Sequence, residues 1–301
     1  MKTAFIFSGQ GSQFAGMGKD LYENHSECRL LFDEASEILK IDFKSEIFEN
    51  GEILKKNEYC QPAIAAVSAA ALKVAELKGM TADVVAGLSL GEYTALYASG
   101  VFTFENLIKI TRRRGYIMEN YVSDVAGGMS AVLGLDSADC LRACEKANLT
   151  LGGEESVVCA NFNAPGQVVI SGGLNALALA EQLASESGAK RVLSLNVAGP
   201  FHTSYYEAAA EELYNELKTY TFGEMKIPVI SNATAYKYAE TADIAAVLRR
   251  HMISPVLFQK SVENMIEDGV GEFYEFGPGK TLTGFVKKIN KEVKAVSGVS
   301  N

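Results

Sequence analysis

The stretch DVVAGLSLGEYTALYASG, residues 83–100, decides the fold. Its first six residues form an apolar, partly β-branched run that predicts a buried strand, and residues 91–99 favour a helix that stops at Gly100. Between them, residues 87–91 match G-x-S-x-G, in which flanking glycines allow a sharp strand-to-helix turn that exposes the serine hydroxyl. The alternative is that Ser89 only caps the helix between two packing glycines. The stretch predicts an α/β fold in which Ser89 is a candidate nucleophile.

The segments around this stretch also alternate between strand and helix. We predict a strand at residues 3–7, helices at 61–78 and 104–121, and, toward the C-terminus, a strand at 228–231, a helix near 241–252, a strand at 272–276 and a terminal helix. This alternation is typical of an α/β body with a largely parallel sheet. The glycine-rich loop after the first strand does not complete a nucleotide signature, because a G-x-G-x-x-G motif starting at Gly9 would need glycine where Phe14 stands.

A second unit interrupts this body. It consists of predicted strands at 130–135, 157–162, 168–171 and 191–197 and predicted helices at 137–147 and 174–186. The order β-α-β-β-α-β is ferredoxin-like. We therefore expect a ferredoxin-like small domain, residues 128–198, inserted into a body formed by residues 1–127 and 199–301. A ligand site is expected in the cleft between the body and the small domain.

Composition narrows the classes of function. The 301 residues include 28 Lys and Arg against 37 Asp and Glu, and the net charge of −9 argues against a nucleic-acid partner, because phosphate binding needs a concentrated positive surface. The most apolar stretch, residues 63–72, falls short of the roughly 20 residues of a membrane span, and the N-terminal apolar run is too short for a signal peptide. Five cysteines and three histidines form no zinc or disulfide pattern. We expect a cytoplasmic protein that binds no metal, nucleic acid or membrane.

A serine nucleophile needs a base, and the chain offers three histidines. His25 lies in a polar stretch, and His251 lies on the apolar face of a predicted helix, where a packed histidine is expected. His202 precedes a Ser-x-x-Glu capping box at residues 204–207, and the positive end of that helix would keep its ring neutral. We therefore predict His202 as the base. The sequence shows no acidic third member, so a backbone carbonyl can orient the ring.

Arg114 is the most informative residue after Ser89. It lies on the same face of the predicted 104–121 helix as Leu107, seven residues earlier, so its side chain points to the interior. A buried guanidinium must pair with an anion, because leaving it unpaired costs too much free energy. Either a structural Asp or Glu supplies that anion, or Arg114 clamps the carboxylate of a substrate beside the reactive serine.

Taken together, the motifs of the whole chain resemble the malonyl-CoA:acyl carrier protein transacylases, a family shared by bacterial fatty acid synthesis and polyketide acyltransferases. The resemblance rests on GQGSQ at 9–13, QPA at 61–63, GLSLGEY at 87–93, RG at 114–115, NFNAPGQ at 161–167, GPFH at 199–202 and GPG at 277–279. It implies an α/β-hydrolase-like body with a parallel sheet plus an inserted ferredoxin-like small domain.

The resemblance also implies a role for each residue that matches a motif of the family. Ser89 is the acylated nucleophile, His202 its base and Arg114 the anchor of the malonyl carboxylate, while Gln10 and the backbone N–H of Leu90 form the oxyanion hole. The implied substrate is malonyl-CoA, the partner is an acyl carrier protein, and no resident cofactor is needed. The implied oligomeric state is a monomer.

Further residues are assigned to substrate binding on the same basis. Phe201, just before the histidine, matches the malonyl-selecting version of its motif, and Asn163 belongs to the NFNAPGQ motif. Two positions depart from the family pattern: Leu88 replaces a frequent histidine, and His251 stands where glutamine is frequent, shortly before a Pro-Val pair. The second departure makes His251 a candidate to support His202 or the carboxylate end of the cleft.

Three functions remain open from the sequence. The first is ping-pong transfer of a malonyl group through Ser89 to an acyl carrier protein in fatty acid or polyketide synthesis. The second is a serine hydrolase or thioesterase that delivers the same acyl group to water, and the third is a binding subunit. An acidic carrier protein could dock on a helical face formed by Lys287, Lys288 and Lys291, although an ordinary solvated face is the alternative.

Overall fold

The computed structural model describes residues 1–120, 126–153, 155–239 and 242–298. Its strands are β1 Lys2–Phe7, β2 Val84–Gly87, β3 Gly127–Leu133, β4 Val157–Ala164, β5 Gln167–Gly173, β6 Arg191–Ser194, β7 Val270–Phe276 and β8 Lys294–Ser297. Its α-helices are α1 Lys19–Asn24, α2 Ser26–Leu39, α3 Asn57–Leu77, α4 Gly91–Ala98, α5 Phe104–Asn120, α6 Ser137–Thr150, α7 Leu174–Glu186, α8 Glu207–Leu217, α9 Ile244–Ile253, α10 Phe258–Glu267 and α11 Thr281–Ile289.

A parallel sheet in the order β2-β1-β7-β8 carries the serine turn, which confirms the predicted α/β body. Phe7 at the end of β1 pairs with Gly87 on one side and with Phe276 on the other. The three strands therefore end at the same edge of the sheet. The loops that follow them meet there, as is usual for ligand sites in α/β sheets.

Two strands of this body differ from the prediction. The strand expected at 228–231 is reduced to isolated bridges, because Val229 pairs with Val85 and Ile230 then pairs with Lys237, so the chain turns back at once. A short strand, β8, follows the C-terminal helix and pairs with β7, whereas we expected only the helix. Its sequence, KAVS, is too short and mixed to show a periodicity.

The remaining four strands form an antiparallel sheet in the order β4-β5-β3-β6, with α6 and α7 packed against each other. Numbered from its own first strand, the order is 2-3-1-4, which is the ferredoxin-like arrangement predicted from the sequence. Its apolar core includes Cys140, Cys144 and Cys159, all buried and free. The domain boundaries at residues 127–128 and 198–199 stay a prediction.

Helix α3 forms the centre of the body's apolar core. Among the described residues it alone is long and apolar enough to cross a membrane, but most of its residues are buried inside the fold. Its small alanine side chains let α5 approach closely, and an added Cβ at Gly115 would lie only 2.2 Å from the carbonyl oxygen of Asn57. This close crossing fixes the position of the neighbouring Arg114.

The start of one helix agrees with the sequence, and the start of another differs from the prediction. Thr103, a residue type that favours the N-cap position, caps α5 by accepting the N–H of Asn106 at 3.1 Å. The capping box predicted at residues 204–207 is wrong: Thr203 accepts the N–H of Tyr205 at 3.3 Å, one 3₁₀ turn follows, and α8 begins only at Glu207. The predicted ends Tyr121 and Thr241 lie outside the described residues.

Candidate active site

The turn between β2 and α4 presents Ser89 in a left-handed conformation, with φ of +51°. The two glycines of the motif allow this close geometry. A Cβ on Gly87 would lie 2.0 Å from the carbonyl carbon of Gly91, and one on Gly91 would lie 2.1 Å from the carbonyl oxygen of Phe7. The Ser89 side chain makes no capping bond to α4, so the turn has the geometry of a nucleophile elbow rather than of a simple helix cap.

The Ser89 hydroxyl meets His202. The Nε2 atom of His202 lies 2.8 Å from Oγ of Ser89, and Nδ1 lies 3.1 Å from the backbone carbonyl oxygen of His251. A carbonyl can only accept a hydrogen bond, so Nδ1 carries the proton and Nε2 is free to accept from Ser89. The orienting group is therefore the backbone carbonyl anticipated from the sequence. The geometry is that of a serine and its general base.

The His202 ring is kept neutral. Burial lowers its pKa to about 4, and the nearby Arg114 guanidinium acts in the same direction, while the carbonyls of His251 and Ser254 partly oppose both. The neutral state agrees with the prediction, but the cause differs from the helix N-terminus that the sequence suggested. A neutral imidazole can take the Ser89 proton at neutral pH.

Arg114 is 1% exposed and points at the same hydroxyl. One terminal nitrogen donates to Oε1 of Gln61 at 2.8 Å and the other donates to Oγ of Ser89 at 3.2 Å, while the guanidinium lies over the Tyr93 ring at 5.1 Å. Within the described ranges, no Asp or Glu oxygen lies within 4.0 Å of this guanidinium. In those ranges, therefore, Arg114 has no structural Asp or Glu partner, which was one of the two alternatives. Its buried charge remains available for a ligand anion.

The loop after β1 brings Gln10 to the site, but its side chain is already engaged. Nε2 of Gln10 donates to Oδ1 of Asn57 at 2.8 Å, and its Oε1 accepts from Nε2 of Gln61 at 3.1 Å. The backbone N–H groups of Gln10 and Leu90, in contrast, have no hydrogen-bond partner among the described residues. Two free backbone N–H groups beside a nucleophile are the usual donors of an oxyanion hole.

A cavity of about 380 Å³ opens between the two sheets at this point. Ser89, His202 and Arg114 line it from the body, together with the predicted residue Phe201. The antiparallel sheet contributes apolar side chains and the predicted residue Asn163, whose side-chain oxygen is buried without a hydrogen-bond partner among the described residues.

Of the two expectations for His251, its geometry fits support of His202 rather than of the carboxylate end of the cleft. This residue is fully buried and does not line the cavity. Its ring stacks on that of His202, with centroids 5.4 Å apart and 29° between the planes. It therefore contacts His202 through both its ring and its carbonyl, behind the cavity wall.

Sequence reasoning missed three buried residues under the turn: Glu92, Asn232 and Tyr238. Burial raises the pKa of the Glu92 carboxyl to about 7, against opposing hydrogen bonds from Tyr238 and Asn232. One signal was present in the sequence, because Glu92 is an acid within the otherwise apolar segment that follows the serine motif. No local sequence pattern indicated that Glu92 would contact Asn232.

The site can activate a hydroxyl, stabilise an oxyanion and bind a carboxylate. In the part of the chain that the structure describes, no group of three or more His, Cys, Asp or Glu side chains is placed to hold a metal ion. The arrangement therefore fits formation of an ester on Ser89 from an acyl donor that carries a negative charge.

Comparison with known proteins gives one consistent result. The family model for the acyl transferase domain matches residues 4–300. The malonyl CoA-acyl carrier protein transacylase of Bacillus subtilis is 43% identical over 299 residues, covering 98% of this chain and 93% of the relative. The corresponding enzyme of Staphylococcus aureus is 38% identical over 301 residues, covering 98% and 95%.

Solved structures agree with these relatives. The crystal structure of malonyl CoA-acyl carrier protein transacylase from Clostridium perfringens superposes with a TM-score of 0.93 at 40% identity, covering 99% of this chain and 93% of that one. The structure of a type II PKS acyl-carrier protein in complex with its malonyl-transacylase, PlMCAT:AntF, superposes with a TM-score of 0.93 at 35% identity. The match covers 99% of this chain and 96% of that one.

Proposed function

Because the chain belongs to the acyl transferase domain family, and within it to the malonyl CoA-acyl carrier protein transacylases, we propose that it transfers the malonyl group of malonyl-CoA to an acyl carrier protein. The observation that carries this proposal is the buried Arg114 guanidinium, which lies 3.2 Å from the Ser89 hydroxyl without a carboxylate partner in the described residues. An acyl group with a terminal carboxylate satisfies that charge while its thioester lies at the serine.

The first half-reaction forms a malonyl ester on Ser89. Nε2 of His202 takes the hydroxyl proton as Oγ attacks the thioester carbon, and the N–H groups of Gln10 and Leu90 stabilise the oxyanion. The carbon–sulfur bond then breaks, and the coenzyme A thiolate leaves with the proton held by His202. The ester and free coenzyme A are the products.

The second half-reaction repeats these steps in reverse order with a different thiol. His202 takes the proton of the pantetheine thiol of the carrier protein, and the sulfur attacks the ester carbon. Oγ of Ser89 leaves and recovers the proton from His202. The apolar walls of the cavity, which include Met129, Val169 and Phe201, disfavour water as the competing nucleophile.

Phe201 is proposed to limit the size of the acyl group. Its ring is 6% exposed and packs edge-on against Tyr206, with centroids 5.4 Å apart, so it has little freedom to move aside for a branched acyl group. Asn163 is placed to donate or accept a hydrogen bond with the substrate in the same cavity.

The other two functions gain no support. A hydrolase has less use for a cation held at the serine, and the named relatives are transacylases. A binding subunit has no need for the 2.8 Å contact between Ser89 and His202. We propose a monomeric enzyme of the cytoplasm that serves fatty acid or polyketide synthesis.

Labelling tests the function directly. Radiolabelled malonyl-CoA should give a protein-bound label that survives denaturation, and addition of a carrier protein bearing pantetheine should move the label to that protein. The control is the same incubation with a carrier protein that lacks pantetheine. Loss of the label to water at the same rate with either carrier protein would support the hydrolase instead.

The pH dependence of acylation follows from the His202 pKa. The ring must be neutral to act as a base, so kcat/KM for malonyl-CoA should stay level from pH 8 to below 6 and fall only as the pH approaches about 4. An ordinary histidine would give a midpoint at about 6.5. Rapid pH-jump, single-turnover release of coenzyme A measures the profile before the protein can unfold. A midpoint at about 6.5 would contradict the prediction.

The C-terminal lysines are the proposed docking site for the acidic carrier protein. Lys287 and Lys288 are exposed in the last turn of α11, and residues near the start of that helix line the cavity. Replacing both with glutamate should raise KM for the carrier protein by about 3- to 10-fold, because like charges slow the encounter, and should leave KM for malonyl-CoA unchanged. The control replaces Lys40 and Lys44, two exposed lysines outside the cavity lining. Equal effects of the two pairs would remove the docking proposal.

A further inference from the structure

A single buried amide bridges the two sides of the serine turn. The Oδ1 atom of Asn232 accepts the backbone N–H of Ser89 at 2.6 Å, and Nδ2 of Asn232 donates to the backbone carbonyl of Gly87 at 2.7 Å. Asn232 is 0% exposed and is 143 residues away from Ser89 in the sequence. Its side chain therefore joins the end of β2 to the nucleophile itself.

Asn232 is itself held in place by Glu92, in the helix that follows the serine. Its backbone N–H donates to Oε2 of Glu92 at 2.8 Å, and Oε1 of Glu92 accepts from the Tyr238 hydroxyl at 2.5 Å. The carbonyl of Asn232 accepts the N–H of Leu257 at 2.9 Å, so every polar group of this asparagine is engaged. Because Glu92 lies in the first turn of α4, the bonds close a ring from Ser89 through Asn232 back to the helix that follows the serine.

This closed set of hydrogen bonds stabilises a backbone conformation of Ser89 that is otherwise unfavourable. Ser89 has a positive φ, which is unfavourable for any residue with a Cβ. Such conformations persist where the surroundings over-determine them, and the side chain of Asn232 fixes the backbone just before Ser89 while the N–H of Asn232 is bonded to Glu92 just after it. The N–H of Ser89 is taken by Asn232, whereas the next amide, that of Leu90, has no partner among the described residues.

We propose that Asn232 is a positioning residue for the acyl transfer: it holds the Ser89 backbone so that Oγ meets His202 and the Leu90 N–H stays available to the oxyanion. The inference rests on the proposed function, in which Ser89 carries the malonyl group. Asn232 itself does not line the cavity and makes no hydrogen bond to Arg114, so it acts on the acylation step and not on substrate binding.

The test separates these two steps by single-turnover kinetics. Release of coenzyme A is followed at increasing malonyl-CoA concentrations, which gives a dissociation constant and an acylation rate constant for each variant. The Asn232→Ala variant should acylate about 10²-fold more slowly, the effect of a displacement of about 1 Å at the reacting atoms, with an unchanged dissociation constant. Acylation at the wild-type rate would overturn the inference.

A matched control removes the effect of stability. Nδ2 of Asn264 donates to the carbonyl of Ala235 at 2.8 Å, so the Asn264→Leu variant loosens the same 231–238 segment without touching the serine turn. It should lower the melting temperature but acylate at the wild-type rate. If both variants lose acylation in proportion to their melting temperatures, Asn232 is only structural and the inference is wrong.

A milder variant covers the case in which Asn232→Ala does not fold. Tyr238→Phe removes one bond to Glu92 and should slow acylation about 3- to 10-fold with an unchanged dissociation constant. Wild-type acylation in that variant would then overturn the inference. Failure of the proposed function is distinct, because the wild-type protein itself would then form no malonyl ester, and the inference would fall with it.

Discussion

Replacement of Ser89 with alanine is expected to lower malonyl transfer by about 10⁴-fold or more and to abolish labelling by radioactive malonyl-CoA. Among the described residues, the Ser89 hydroxyl is the only group bonded to Nε2 of His202, so no other described atom takes over the activated position. Binding and the oxyanion donors remain, and they alone give little turnover because the covalent intermediate cannot form. The measurement is the amount of protein-bound label after denaturation.

The cavity provides a matched control for this variant. Ser12 also lines it, and its hydroxyl donates to the carbonyl of Gly9 at 2.7 Å rather than to a base. The Ser12→Ala variant should therefore keep the label. Label that persists in Ser89→Ala, or that disappears in Ser12→Ala, would assign the nucleophile elsewhere.

Replacement of Arg114 with alanine is expected to lower kcat/KM for malonyl-CoA by about 10²- to 10³-fold, because a buried charge pair with the substrate carboxylate is lost. Transfer from acetyl-CoA, whose acyl group has no carboxylate, should change little. The preference for malonyl-CoA over acetyl-CoA should therefore be lost. The Arg114→Lys variant should fall between, since an ammonium keeps the charge but cannot form two parallel bonds while also donating to Gln61.

The neighbouring arginine provides the control for charge. Arg113 follows Arg112 on the same helix and pairs with Glu212 and Glu216 outside the cavity. The Arg113→Ala variant should keep the preference for malonyl-CoA. An equal loss of malonyl and acetyl transfer in Arg114→Ala would show that the residue supports the fold of the site rather than the carboxylate.

The removal of Arg114 also has a consequence for the base. The guanidinium contributes to the low pKa of His202, so Arg114→Ala should move the acid limb of the acetyl transfer profile upward from about 4. Burial of the ring persists in the variant, so the shift should be partial. The same pH-jump assay measures it.

Local sequence predicted the parts of the site that depend on local structure. The glycine spacing around Ser89 determines the turn, and the helical register of Arg114 determines which way it points. Burial is a tertiary property, so sequence reasoning assigned the wrong cause to the neutral state of His202. The contact of Ser89 with Asn232 joins residues 143 positions apart, and no periodicity reports a pair at that separation. The strand predicted at 228–231 failed because two isolated bridges, from Val229 to Val85 and from Ile230 to Lys237, replace it.

The pairing of β1 with β2 has a geometric consequence for the oxyanion donors. Phe7 and Gly87 lie side by side in the sheet, and Gln10 and Leu90 are each three residues farther along their own chains. The two proposed donors therefore lie equally far along the chain beyond the paired ends of neighbouring strands, whose axes are about 4.8 Å apart. The spacing of the strands therefore helps to set the distance between the two proposed donors. A slip of one residue between β1 and β2 would offset one donor from the other by about 3.3 Å.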